Sequence, residues 1–283
     1  MRVSAATCLA LIFLNKSLKE VALMNFVDSF DGVRIVYTSH GDGLPALIFI
    51  HGGLADRTHW SNQIEFFGDR HKVIALDLAG HGESGCSRAA WSMQAFGGDV
   101  VAVLEAEKVS RAVLIGNSLG GPVAAEAALL APERVIGIVA VDTFHEFNLH
   151  VDAAEVKARA EEFRSDFAGS VKKMVAMLFH TDADPALMSE VEGRLSRTSP
   201  EAVWGMFQAF SGYDLAASVR GLKVPIRCIN GDLFPMKIES NRLLYADFDA
   251  VVLPHTGHYP MLECPEEFNR RLTAILADWS RHR

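Results

Sequence analysis

Arg111 to Ala124 read RAVLIGNSLGGPVA. Four apolar residues of strand type, Ala112–Ile115, run into Gly116-Asn117-Ser118-Leu119-Gly120-Gly121, and small residues suited to a helix follow. A strand, a G-x-S-x-G turn and a helix make a nucleophile elbow. The turn holds the serine in a backbone conformation most residues avoid, and the flanking glycines let strand and helix approach closely. Ser118 Oγ is thereby expected above the carboxyl edge of a sheet, near a helix N-terminus. A glycine-rich turn that holds serine by chance is the competing reading. The strand before it and the helix after it weigh against chance.

Working outward, short apolar runs recur at Val33–Tyr37, Ala46–Ile50, Lys72–Leu76, Ala112–Ile115, Ile136–Val141, Ile226–Ile229 and Ala250–Leu253. Helical patterns such as Gln94–Glu107 and Pro122–Leu130 lie between them. This alternation predicts an α/β fold, a mostly parallel sheet covered by helices on both faces. Between Phe144 and Gly221 it breaks into helix-like pieces alone: Ala153–Arg164, Gly169–Phe179, Pro185–Arg197 and Pro200–Phe210. The expected organisation is an N-terminal extension over 1–24, a core domain over 25–143 and 221–283, and a helical cap over 144–220. Phe163, Phe167, Met174, Met177, Leu178, Phe179, Trp204, Met206, Phe207 and Phe210 exceed what one exposed face needs, so the insertion is expected to pack one face on the core domain; most of these side chains read as its own core, and some are candidates to line a pocket.

The 283 residues are 49% hydrophobic and 22% charged, which suits a soluble globular domain. Lys plus Arg is 27 and Asp plus Glu is 35, a net charge of −8 with no basic cluster, and this argues against nucleic acid as a partner. Four scattered cysteines without CxxC spacing argue against a disulfide framework or a zinc site. An apolar run, Ala5–Leu14, follows Arg2, but it is too short to span a bilayer and no small-x-small cleavage site follows it. The segment before Met24 reads as an upstream extension and the protein as cytoplasmic. No cofactor or metal is implied, because His150-Val151-Asp152 and His255–His258 lack a convergent third ligand.

A serine hydroxyl needs a base to take its proton. Position decides among eleven histidines. His258 lies in Pro254-His255-Thr256-Gly257-His258-Tyr259-Pro260, after the last predicted strand and before the final helix. In a parallel sheet that loop emerges on the edge that carries the elbow. Spacing alone leaves His255 open as well.

From Phe26 onward the chain resembles the α/β-hydrolase fold family through four motifs in order. His51-Gly52-Gly53 with Trp60 is similar to its oxyanion-hole loop, and Asp77-Leu78-Ala79-Gly80-His81-Gly82-Glu83-Ser84 to its D-x-x-G-x-G-x-S segment. Gly116–Gly120 is similar to its elbow. Gly257-His258-Tyr259-Pro260 with Glu263, Pro265 and Phe268-Asn269 is similar to its G-H-x-P-x-x-E-x-P-x-x-F-N ending. The resemblance implies Ser118 as nucleophile and His258 as base, with His255 a bystander. By position, the backbone N–H groups of Gly53 and Leu119 form the oxyanion hole, each such donor being worth about 3–4 kcal/mol. His51, Asp77 and His81 read as loop organisers.

The acid is less plainly marked. Most family members place it three residues after the glycine that ends the seventh strand, and here that position is Phe234. Asp232 is out of step by two. Other members place the acid after the sixth strand, where Asp142 stands 142 − 118 = 24 residues past the serine. Geometry favours Asp142 over Asp232, with the role of fixing the His258 tautomer.

A serine at the elbow argues against dehalogenases and epoxide hydrolases of this fold, which carry aspartate there. The expected activity is hydrolysis of small-molecule carboxylic esters with small to medium acyl chains. Asn117 before the serine also raises a carbon–carbon bond hydrolase of ring-cleavage products. A displaced acid raises a non-catalytic ligand sensor on the same fold.

Overall fold

The computed structural model describes residues 24–149 and 152–281. Eight strands form one sheet: β1 (Met24–Asp28), β2 (Arg34–His40), β3 (Ala46–Ile50), β4 (Val73–Leu76), β5 (Ala112–Asn117), β6 (Val135–Val141), β7 (Ile226–Gly231) and β8 (Phe248–Leu253). Their spatial order is β1-β2-β4-β3-β5-β6-β7-β8. β2 runs antiparallel to β1 and β4, and every other neighbouring pair is parallel.

Every residue of β3, β4 and β5 is buried. Parallel strands covered on both faces are near-continuously apolar, which is why these segments read as runs of Val, Ile, Leu, Ala and Phe until β5 reaches Gly116 and Asn117 at the elbow. The covering helices of the core are α1 (Ser61–Phe67), α2 (Met93–Ala106) and α3 (Gly120–Leu130). Trp60, fully buried, packs 5.0 Å from Phe49 of β3 and 6.1 Å from Phe268 near the C-terminus, between ring centroids.

Exposure alternates along Met24-Asn25-Phe26-Val27-Asp28, with exposed positions at both ends and the middle, because β1 is the sheet's edge. Its register pairs Met24 with Thr38. Met24 therefore belongs to the sheet and not to an extension over 1–24, a correction at that boundary. Residues 1–23, including the apolar run Ala5–Leu14, lie outside the described residues, as do His150 and Val151.

Between β6 and β7 the chain forms α4 (Ala153–Ser165), α5 (Phe167–Leu178), α6 (Pro185–Leu195), α7 (Pro200–Phe210) and α8 (Leu215–Gly221). Each starts at a side chain that accepts from one of its own first N–H groups: Asp152, Asp166, Asp184, Ser199 and Asp214. Such caps satisfy donors that a helix start otherwise leaves unpaired, at about 1 kcal/mol each. Pro185 and Pro200 sit at first helical positions, where no N–H is required. Phe163 joins α4 to α5 and α7 through Phe167 and Phe207, with ring centroids 6.1 and 5.6 Å away. α9 (Ile238–Leu244), α10 (Pro260–Glu263) and α11 (Pro265–Arg281) complete the fold. Among the described residues no helix is long and apolar enough to cross a membrane.

Candidate active site

The site sits at the carboxyl ends of adjacent parallel strands. Ser118 follows β5, and its N–H extends the ladder to β6 by donating to the carbonyl of Val141 at 3.0 Å. Its φ is +50°, a region that non-glycine residues seldom occupy. The flanking glycines are required by space. A Cβ on Gly116 would lie 2.1 Å from the Gly120 carbonyl oxygen, and one on Gly120 would lie 2.5 Å from that of Ile50. The elbow's spacing follows from these two close approaches.

Asp142 repeats the arrangement one strand further on. It follows β6, donates its N–H to Ile229 at 3.2 Å and has a φ of +44°. Its buried carboxylate accepts from the Gly231 N–H at 3.0 Å and from His258 Nδ1 at 2.5 Å. His145 Nε2 lies 3.5 Å from the other side of the same group. Burial pushes the Asp142 pKa up, but the interactions with His145 and His258 outweigh it and bring the value down to about 2. Beside an ionised carboxylate, His258 keeps its proton on Nδ1 and Nε2 is left as the acceptor.

The loop after β8 that carries His258 is held on several sides. Glu263 accepts from the N–H groups of Gly257 and Tyr259, both at 2.9 Å. This explains why the motif spaces its glutamate as it does. The His258 N–H donates to the Leu178 carbonyl at 2.8 Å, and the Asn117 amide donates to the His258 carbonyl at 3.1 Å and to Val141 at 3.0 Å.

The loop after β3 is fixed by His51, whose Nε2 accepts from the Leu78 N–H at 3.0 Å while Nδ1 donates to the Gly52 carbonyl at 2.7 Å. Burial lowers the His51 pKa to about 4, so the ring is neutral at pH 7. Asp77 accepts from the N–H groups of Arg57 and Glu83 at 2.7 and 2.9 Å and pairs with the Arg57 guanidinium. His81 bonds the Ala79 carbonyl at 3.0 Å. All three residues are spent on organising loops. Neither Gly53 N–H nor Leu119 N–H has a hydrogen-bond partner among the described residues, so both remain available as donors.

Asp232 stands elsewhere. It pairs with His180 Nε2 at 2.8 Å and accepts from the N–H groups of His255 and Thr256 at 3.0 and 3.2 Å. Its carboxylate serves the surface of the β8 loop. Phe234, at the family's usual acid position, presents its ring edge-on to His145 and His258, with centroids 5.8 and 6.5 Å away. Sequence reasoning missed His145, although its place three residues after Asp142 was visible. It also missed His180, which no motif marks.

Ser118 and His258 line a cavity of about 250 Å³ together with Gly53, Leu119 and, from the inserted helices, Met206 and Phe207. A nucleophile-type serine, an imidazole held by an ionised carboxylate and two unspent N–H groups thus meet at one largely apolar cavity. This arrangement can attack a carbonyl carbon and stabilise the oxyanion that forms.

Residues 47–271 match the sequence profile of the alpha/beta hydrolase family. Over 255 aligned residues the chain is 27% identical to the pimeloyl-[acyl-carrier protein] methyl ester esterase of Nitrosospira multiformis, covering 83% of this chain and 95% of that protein. A shorter match, 35% identical over 120 residues, is to the dihydrolipoyllysine-residue acetyltransferase component of the acetoin cleaving system of Cupriavidus necator. That match covers 42% of this chain and only 32% of the relative's length. Among solved structures, Est816, described as an N-acyl homoserine lactone degrading enzyme, superposes with a TM-score of 0.75 at 26% identity, over 88% of this chain and 99% of that one. The chain belongs to the alpha/beta hydrolase family.

Proposed function

We propose that the protein hydrolyses carboxylic esters of small to medium acyl chains through an acyl-enzyme on Ser118. The observation that carries this reading is the 2.5 Å contact between His258 Nδ1 and Asp142, which leaves Nε2 free to take a proton at the cavity lined by Ser118. Ser118 Oγ attacks the ester carbonyl and gives its proton to His258 Nε2. The oxyanion is met by the N–H groups of Gly53 and Leu119. Collapse expels the alcohol, which takes the proton from His258. Water, deprotonated by the same nitrogen, then releases the acid and restores Ser118.

Asp142 holds the ring and stabilises the imidazolium while it carries the extra proton. Helices α4 to α8 act as the cap, and their apolar side chains limit the acyl group the cavity accepts. A methyl ester esterase and a lactone-degrading enzyme among the similar proteins support ester chemistry, since a lactone is a cyclic ester. Asn117 is occupied in tying β6 to the His258 loop, so it lends no separate support to carbon–carbon cleavage.

The test is hydrolysis of p-nitrophenyl acetate and butyrate by the wild type and by Ser118→Ala. The variant should lose roughly 10⁶-fold in kcat, as removal of such a nucleophile does elsewhere. Turnover that survives the substitution would overturn the proposal.

A further inference from the structure

The residues lining the cavity beside Ser118 include one formal charge, Arg159 on α4. No aspartate or glutamate is among them. The rest of the lining is dominated by Phe163, Met174, Leu178, Met206, Phe207 and Phe210. Arg159 is exposed, so hydration alone could account for a cation there. Two features of its surroundings point further.

The first is that Arg159 stands apart from nearby carboxylates. Glu155 precedes it by four residues and Glu162 follows it by three on the same helix, spacings at which helical ion pairs form readily. Arg164, on the same helix, does pair with Glu161 at 2.7 Å. Arg159 makes no ion pair or hydrogen bond with the described residues. The second is the wall beside it. An unneutralised cation next to apolar side chains keeps more of its field than one in open water, and it gathers anions at the cavity.

We propose that Arg159 recognises an anionic group that the substrate carries away from its scissile carbonyl. The preferred esters then bear a carboxylate, as half-esters of dicarboxylic acids do. The planar guanidinium offers a carboxylate two parallel donors, a fit that a lysine ammonium lacks. The apolar side chains that line the cavity together with Arg159 and Ser118 suit the methylene chain that separates the two ends of such a molecule. This proposal rests on the ester-hydrolase reading above.

The experiment compares kcat/KM for monoethyl succinate, adipate and suberate with that for ethyl butanoate, hexanoate and octanoate, following acid release in a pH-stat. Wild type, Arg159→Gln and Arg159→Lys are measured at low and high salt. The wild-type anionic-to-neutral ratio is expected above one for at least one chain length. Arg159→Gln should lower that ratio about ten-fold, mainly through KM, and Arg159→Lys should restore part of it. Added salt should lower the ratio in the wild type and much less in Arg159→Gln.

A wild-type ratio below one at every length, or a ratio that Arg159→Gln leaves unchanged, overturns this inference while ester hydrolysis stands. If neither series is hydrolysed in a Ser118-dependent way, the ester-hydrolase reading itself fails. The two failures are therefore distinguishable.

Discussion

The backbone N–H of His258 donates to the carbonyl oxygen of Leu178 at 2.8 Å, so the histidine loop is tied to the last residue of α5. Two residues further on, His180 pairs with Asp232 beside the same loop. The inserted helices therefore do more than cover the cavity. They share hydrogen bonds with the segment that positions the base.

Gly257 lies under that tie. A Cβ there would sit 2.5 Å from the Leu178 carbonyl oxygen, so Gly257→Ala must push α5 away or displace His258. A misplacement of about 1 Å typically costs about 10²-fold in rate, and a loss of that order in kcat is expected. Measuring kcat beside the thermal midpoint separates the two effects. Wild-type kcat in a folded variant would show that the tie is dispensable.

The two candidate acids separate by substitution. Asp142→Asn leaves His258 facing a neutral amide in place of a buried carboxylate, and kcat should fall about 10⁴-fold. Asp232→Asn weakens an exposed pair with His180, and its amide oxygen can still accept from the N–H groups of His255 or Thr256, so the loss should stay below about ten-fold. Ester hydrolysis by purified Asp142→Asn and Asp232→Asn decides it. Equal losses would leave Asp142 without its assigned role.

Glycines of the site differ in what a methyl group would strike. At Gly116 it meets the backbone oxygen of Gly120, which cannot move without breaking the turn. Gly116→Ala should cost about 3 kcal/mol or more in urea unfolding. At Gly53 it meets Met206 Sδ at 2.4 Å, near the end of a flexible side chain that can swing aside. Gly53→Ala should stay folded and show its effect in KM. Comparable destabilisation by both would contradict the distinction.

Stability should fall on acidification well before carboxylates titrate. Burial lowers the pKa of His51 to about 4, and of His59 and His81 to about 3, from an ordinary 6.5. As pH drops below 6.5 the unfolded chain takes up protons on these rings that the folded chain refuses. Each ring then removes up to about 1.4 kcal/mol of folding stability per pH unit. Asp142 has a depressed carboxylate pKa, so its contribution is complete above 3.8 and is lost as pH falls through about 2. Urea midpoints at about pH 7 and about pH 5 test the histidine effect. A midpoint that does not move would refute it.

Much of this was legible in the chain alone. β3 to β6 read as apolar runs because both faces of a parallel strand are buried, and the elbow announced itself because only glycine fits where strand, turn and helix crowd together. Four of the inserted helices were also legible, since each begins at a capping side chain before an apolar pattern. β1 was missed because its exposed positions include the apolar Met24 and Phe26, so no polar–apolar period marks its five residues, and α8 because its seven residues are too few for a period to show.

The order of strand, elbow and closing histidine loop was determined by the sequence, through local sterics and burial that repeat wherever such segments occur. Which carboxylate meets His258 was decided by the tertiary structure. Asp142 and His258 are 116 residues apart, and their contact exists because β6 and β8 bring their carboxyl ends to one edge while Gly231 orients the carboxylate between them. Asp232 is nearer to His258 in the chain, yet its side chain turns to the surface and His180. Local pattern records which residues can do the chemistry; the direction in which each side chain leaves its strand end exists only once the sheet has formed.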